Sequence, residues 1–188
     1  MASQQLIAQL GNPVLRKIAE PIADVHADWV QALIEDLLVT LHQSNGVGLA
    51  APQVSRPYRL LIVASHPNVR YPEAPQMEPT PMINPRIVQH SDHTAKDWEG
   101  CLSVPGIRGL VPRYEGITVT YTDRNGQDQI QTLTGFVARI FQHEFDHLEG
   151  KVFLDRVETS MDLISDQEYL KRFTPAIPST STALPDNK

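Results

Sequence analysis

The stretch FVARIFQHEFDHLEG, running from Phe136 to Gly150, decides the fold. Val137, Ile140, Phe141 and Leu148 recur at helical steps, which predicts a mostly buried helix over Phe136–Glu149 with Gly150 as its left-handed C-terminal residue. His143 and His147 are four residues apart and share one helix face, close enough for both imidazoles to hold a single metal ion. Glu144 lies between them, within reach of a water at that metal and able to carry its proton. Asp146 reads as a solvent-facing or a supporting carboxylate. Two chance histidines on an exposed helix would give the same H-E-x-x-H pattern. A buried helix changes the weighing, because buried imidazoles need polar partners and a metal supplies them.

The third donor is not settled by this stretch. The metzincin pattern continues as far as Gly150, but Phe153 stands where that pattern has its third histidine. Glu158 and Glu168 are downstream carboxylates, though neither sits in a ligand motif. Cys101 is the remaining soft donor, and one Cys with two His would leave a fourth position open for water. A lone cysteine is ordinarily better read as a small buried hydrophobe.

Further out, Val30, Leu33, Ile34, Leu37, Leu38 and Leu41 form the apolar stripe of a helix over Asp28–Gln43, ended by Asn45-Gly46. A shorter helix, Pro13–Ala19, is capped by Asn12. Arg59–Ala64 and Met82–Gln89 read as strands, and the proline-rich stretch between them (Pro67 to Pro81) as an exposed irregular loop. Ile117–Thr122 and Ile130–Thr134 flank Asn125-Gly126 and read as a hairpin. The class predicted is α+β: antiparallel or mixed β-sheets packed around the buried HExxH helix. Residues 1–173 are expected to form one catalytic domain, and residues 174–188, which lack periodicity, a disordered tail.

A chain of 188 residues can bury roughly 70% of its surface around one core. The longest apolar run, Leu60–Ala64, is far below the ~18 residues of a membrane span. Asn12, Arg16, Lys17, Glu20 and Asp24 break up any signal-peptide core. The net charge of −6, from 16 basic and 22 acidic residues, argues against broad phosphate-backbone contact, so neither DNA nor a membrane is expected as a partner. The one cysteine excludes an internal disulfide and fits a reducing compartment.

Three segments then come together. Gly46-Val47-Gly48-Leu49-Ala50-Ala51-Pro52-Gln53, Glu99-Gly100-Cys101-Leu102-Ser103 and Gln142-His143-Glu144-Phe145-Asp146-His147-Leu148 resemble the peptide deformylase motifs GxGLAAxQ, EGCLS and QHExDHL. They stand in the family's order and approximate spacing, and the resemblance covers about Leu10 to Asp155. It implies a metal-dependent hydrolase that removes the formyl group from N-formylmethionyl nascent polypeptides and releases formate. By this resemblance Cys101, His143 and His147 bind the metal, Glu144 is the acid/base, and Gln53 with the Leu102 N–H holds the oxyanion. Val47, Gly48 and Gly100 would pair with an extended substrate, and Arg108 would lie near its far end. Glu99 and Arg113 would form a buried ion pair. Phe136, Val137, Arg139 and Ile140 precede His143 and by the resemblance would partly line the methionine pocket. The sequence GFVAR resembles organelle-type members, and Arg139 either narrows that pocket or points away from it.

The resemblance further implies Fe2+ as the ion, with Zn2+, Ni2+ or Co2+ able to substitute. It also implies a monomer in the cytoplasm with transient ribosome contact. His26, His42, His66, His90 and His93 lie outside the motifs and read as surface residues. Two rival functions remain: a peptidase cutting internal bonds, and an inactive relative using a metal only for stability. Intact Glu144 and Gln53 argue against the second.

Overall fold

The computed structural model describes residues 2–67 and 73–173. In chain order its elements are α1 (Asp28–Ser44), β1 (Gly48–Ala50), β2 (Leu60–Ser65), β3 (Met77–His90), β4 (Thr94–Cys101), β5 (Val104–Tyr114), β6 (Gly116–Thr122), β7 (Asp128–Thr134), α2 (Gly135–Leu148), β8 (Leu163–Ser165) and α3 (Asp166–Phe173). The strands form two sheets, ordered β1-β2-β3-β6-β7 and β4-β5-β8. Every ladder between these strands is antiparallel. The α+β expectation holds, and antiparallel is the form it takes.

β2 explains the layering. It is buried along its whole length, and strand alternation sends Leu60, Ile62 and Ala64 one way and Leu61 and Val63 the other. The first set packs with Val30, Leu33, Ile34, Leu37 and Leu41 of α1. The second packs with Ala138, Ile140, Phe141 and Leu148 of α2. The large sheet therefore lies between two helices, and side chains as fully buried as Leu37 and Phe141 each stabilise it by roughly 1.5–3 kcal/mol. The small sheet joins α2 through polar contacts from Glu99 and Arg113. A buried HExxH helix held by both sheets is the result.

Helix ends follow the expected signals. Asn45 adopts the left-handed conformation (φ 50°) and its N–H donates to His42 O. Gly150 is also left-handed (φ 69°), and a Cβ there would come within 2.9 Å of the Arg16 carbonyl. The predicted helix Pro13–Ala19 shrinks to a 3-10 turn over Pro13–Arg16, capped by Asn12 Oδ1. Beyond it, Ala19 N–H donates to Leu148 O instead.

Two expectations need correction. The proline-rich loop is shorter than predicted, because β3 begins at Met77. Between Met77 and Met82 the strand pairs with β2 alone, and pairing with β6 starts only at Ile83. Pro79 and Pro81 are thus tolerated where one strand edge is open. The hairpin β6–β7 is present as expected, with Asn125-Gly126 inside its connecting loop. Asp123 Oδ1 accepts from Asn125 N and Gln127 N and organises that loop. β4, β5, β8 and α3 were not anticipated. The predicted tail from Thr174, and residues 68–72 of the proline-rich stretch, lie outside the described residues. Among those described, no helix is long and apolar enough to cross a membrane.

Candidate metal centre and cleft

On α2, His143, Glu144 and His147 are all buried, and the two imidazole rings stand nearly perpendicular with centroids 5.2 Å apart. Cys101 reaches them from the end of β4, with Sγ 3.3 Å from His147 Nε2. One donor atom from each of Cys101, His143 and His147 lies within 4.8 Å of the others. Glu158 is elsewhere, paired with Lys96, and Glu168 with Lys171 on α3. His26, His42, His90 and His93 are exposed, and His66 is half-buried against Asn45.

The donors are prepared for a cation. Glu99 Oε2 lies 2.9 Å from His143 Nδ1, which fixes the tautomer and leaves Nε2 as the coordinating atom. Burial opposes ionisation of the Cys101 thiol, but the imidazoles of His147 and His143 outweigh it and hold its pKa well below the usual range. The thiolate is the form that binds metals. Glu144 Oε2 and His147 Nδ1 are buried without a hydrogen-bond partner among the described residues, a cost that most buried polar groups avoid. One thiolate and two imidazoles suit a divalent transition ion with an open fourth position, so the residues fit such an ion.

Behind the donors lies a buried ion network. Arg113 clamps Glu99 with two bonds of 2.9 and 3.0 Å and donates to Asp146 Oδ2 at 2.6 Å. Burial raises the Glu99 pKa, yet His143 and Arg113 bring it below the ordinary carboxylate range. Asp146 behaves likewise: burial is outweighed by Arg156 and Arg113, and its pKa is lowered. It is therefore a buried, paired carboxylate and not a solvent-facing one. Arg139 donates to Glu99 Oε1, Val111 O and Ala95 O, so its guanidinium is committed to β4 and β5 while the residue borders the cleft. Gln142 clasps the backbone of Tyr114 through both amide atoms, tying α2 to β5.

Gln53 sits in a 3-10 turn, Ala51–Val54. Its Oε1 accepts from Ala50 N at 2.8 Å, while Nε2 points to Ser103 Oγ at 3.3 Å and Cys101 Sγ at 3.6 Å. The N-terminal segment straps this arrangement: Ala8 N–H donates to Gln53 O and Leu10 N–H to Ser103 O. Gly48 has a steric role as well. A Cβ on it would meet Glu144 Oε1 at 2.5 Å and Ile140 Cγ2 at 2.8 Å.

A cleft opens over the centre, walled by Val47 and Gly48 on one side and by Trp98, Gly100 and Leu102 on the other, with Phe136 and Ile140 behind. β1 and β4 are edge strands of different sheets, so the gap between them is bounded by two strand edges. Ala64 N–H bonds to Val47 O, and antiparallel alternation then turns the N–H and C=O of Gly48 away from β2. Val137 does not border the cleft and packs with the large-sheet core instead. Arg108 also lies away from it, buried beneath α3, where Nε donates to Asp166 Oδ1 at 2.8 Å and the guanidinium covers the Tyr169 ring. The contribution of α3 was missed by the sequence reading, and no motif announces it.

The sequence model of the family described as Polypeptide deformylase matches residues 4–162. The chain is 60% identical over 168 residues to peptide deformylase 2 of Nostoc sp., covering 89% of this chain and 94% of that protein. It is 45% identical over 162 residues to peptide deformylase 2 of Shewanella oneidensis, covering 86% and 89%. The structure superposes on the Met-Ala-Ser-bound class I type b peptide deformylase of Acinetobacter baumannii with a TM-score of 0.81, at 42% identity, covering 84% of this chain and 100% of that one.

Proposed function

The chain belongs to the polypeptide deformylase family, and from that premise we propose that its buried centre hydrolyses the formyl amide at the N-terminus of N-formylmethionyl nascent polypeptides. The observation that carries this reading is the meeting of Cys101, His143 and His147 donors within 4.8 Å, with Glu144 beside them, in a gap between two strand edges. A divalent ion held by Cys101 Sγ and the two imidazoles would act there as a Lewis acid, polarising water and the formyl carbonyl. Fe2+ is the ion proposed. Zn2+, Ni2+ or Co2+ would take the same donors.

The protein supplies the proton handling and the positioning. The Glu144 carboxyl, pushed up to about 7 by burial, accepts a proton from the attacking water and returns it to the leaving amine. The water oxygen bonds to the formyl carbon, the C–N bond breaks, and formate and a free amine result. Gln53 Nε2 and the Leu102 N–H donate to the oxyanion as it forms. Gly48 and Gly100 pair with the extended substrate backbone, and Phe136 and Ile140 receive the methionine side chain. Glu99, fixed by Arg113 and Arg139, keeps His143 in register. Met-Ala-Ser in the Acinetobacter relative is the kind of product such a cleft would retain.

The enzyme is proposed to work as a cytoplasmic monomer that contacts the ribosome transiently. Formate release is measured on formyl-Met peptides before and after metal stripping and ferrous reconstitution. Activity that returns with the ion and leaves internal peptide bonds intact supports the reading. Internal cleavage would favour a peptidase, and a metal-loaded protein without formate release a structural site.

A further inference from the structure

β1 and β4 belong to different sheets, so no ladder couples the two walls of the cleft. The walls converge at the C-terminal ends of these strands, where the 3-10 turn bearing Gln53 follows β1 and Leu102-Ser103 follows β4. The Gln53 side chain crosses this end directly but loosely, at 3.3 Å to Ser103 Oγ and 3.6 Å to Cys101 Sγ. Shorter bonds cross it through a third segment. Ala8 N–H donates to Gln53 O at 2.7 Å, and two residues on, Leu10 N–H donates to Ser103 O at 2.8 Å. Upstream the same segment is fastened to α1: Ser3 N–H donates to Asp36 Oδ1 and Gln5 N–H to Thr40 Oγ1, and Ile7 packs with the α1 core. Downstream it ends in a turn, in which Asn12 N–H donates to Gln9 O at 2.9 Å and Gly11 takes a φ of 100°. The Leu10 residue is 48% exposed, so its backbone makes the attachment.

We propose that Ala8–Leu10 is a positioning tie: its two backbone N–H groups bond to opposite walls of the cleft, fix their spacing, and so aim the Gln53 amide and the Leu102 N–H at one oxyanion. The proposal rests on the deformylase reading above. An oxyanion hole works when its donors already stand in place as the charge develops. Here the two donors come from separate walls. The Gln53 side chain cannot be both clamp and donor, because Nε2 carries only two hydrogens and both are directed at Ser103 Oγ and Cys101 Sγ. Donating to the oxyanion releases one of them. Gln53 O and Ser103 O take no part in that exchange. A tie to these two carbonyls keeps the walls in register while Nε2 turns, and Leu10 acts as a positioning residue that never touches the substrate.

The test removes one N–H. Leu10 is the second residue of the turn Gln9–Asn12 and keeps a negative φ. A positive φ at the third residue then marks the turn type that favours proline at the second. Leu10→Pro therefore deletes the bond to Ser103 O and suits the local backbone. In the iron-loaded enzyme, kcat on formyl-Met-Ala-Ser is expected to fall about tenfold, within the cost on the order of 10²-fold that roughly 1 Å of misplacement carries. KM should change little, and metal content should stay at one ion per chain. Leu10→Ala keeps the N–H and should restore kcat. In a Gln53→Ala background, Leu10→Pro should cost much less, because the donor it aims is gone. A tie that merely stabilises the fold costs the same in both backgrounds, which overturns the proposal. An unchanged kcat in Leu10→Pro overturns it as well, and so does loss of the ion, which would place the fault at Cys101. If Leu10→Pro folds poorly, the α-hydroxy acid counterpart of leucine at the same position exchanges the N–H for an ester oxygen, and the same comparison is made. No formate from the unaltered enzyme overturns the deformylase reading, and the proposal with it.

Discussion

Gly48 and Glu144 meet so closely that a single methyl group cannot be placed between them: a Cβ on Gly48 would lie 2.5 Å from Glu144 Oε1 and 2.8 Å from its Cγ. The second glycine of GVGLAAPQ is thus tied to the carboxylate of HExxH across the cleft. Gly48→Ala is expected to push Glu144 aside and lower kcat on the order of 10²-fold, the cost of roughly 1 Å of misplacement. Metal content should remain at one ion per chain. Formate kinetics combined with metal analysis check this, and normal kcat would mean that Glu144 can yield without loss.

The role proposed for Glu144 is to move protons and not to hold the ion. Glu144→Ala should therefore retain one metal per chain while formate release falls by more than the ~10²–10⁴ typical of acid–base residues, since it serves two proton transfers. Loss of the ion together with activity would make it a ligand. Asp146 cannot replace it as base, because Arg113 and Arg156 already occupy its oxygens.

Cys101→Ser exchanges a thiolate for a hard, weakly acidic hydroxyl. The variant should lose metal more readily on dialysis, and its cobalt-substituted form should lose the thiolate-to-metal absorption. Full occupancy with an unchanged cobalt spectrum would remove Cys101 from the ligand set.

Gln53→Ala removes the proposed oxyanion donor, and kcat should fall by ~10²–10³ with a modest change in KM, the pattern of an interaction made in the transition state. Because Oε1 also holds Ala50 N, a small drop in melting temperature should accompany it. A change in KM alone would make Gln53 a ground-state contact.

The buried Asp146 is expected to contribute to acid stability. Its folded pKa is lowered relative to an unfolded value of about 3.9, so its contribution is present above that pH and disappears as pH falls through the folded value. Asp146→Asn should cost about 3–5 kcal/mol at neutral pH and flatten the acid limb of the stability curve. Urea midpoints between pH 7 and pH 3 provide the comparison. An acid limb as steep as that of the unaltered protein would assign acid unfolding to other carboxylates.

The sequence was readable where burial is apolar. The α1 stripe from Val30 to Leu41 and the run Leu60–Ala64 name their own core. The β6–β7 hairpin was equally visible. β4 and β5 were not, because much of what they bury is charge: Glu99 and Arg113 stand out as a buried pair only through the family resemblance, and nothing local marks Arg108 as buried. Pro105, Gly106, Gly109 and Pro112 further disguise β5, and a Cβ on Gly109 would strike Val157 at 2.7 Å. The candidate donor positions were legible through motifs, whereas Asp146, Arg139 and the α3 aromatics depend on contacts between segments far apart in the chain. No local pattern encodes those.

An unpaired strand edge is ordinarily a hazard that proteins shield, yet β1 and β4 present two edges across a single gap. A peptide in extended form would offer backbone groups to both edges at once. A polypeptide whose first residues have already coiled into a helix, or paired into a sheet of its own, has no such strand to offer. Deformylation by this chain would therefore require a client N-terminus that is still extended and unpaired.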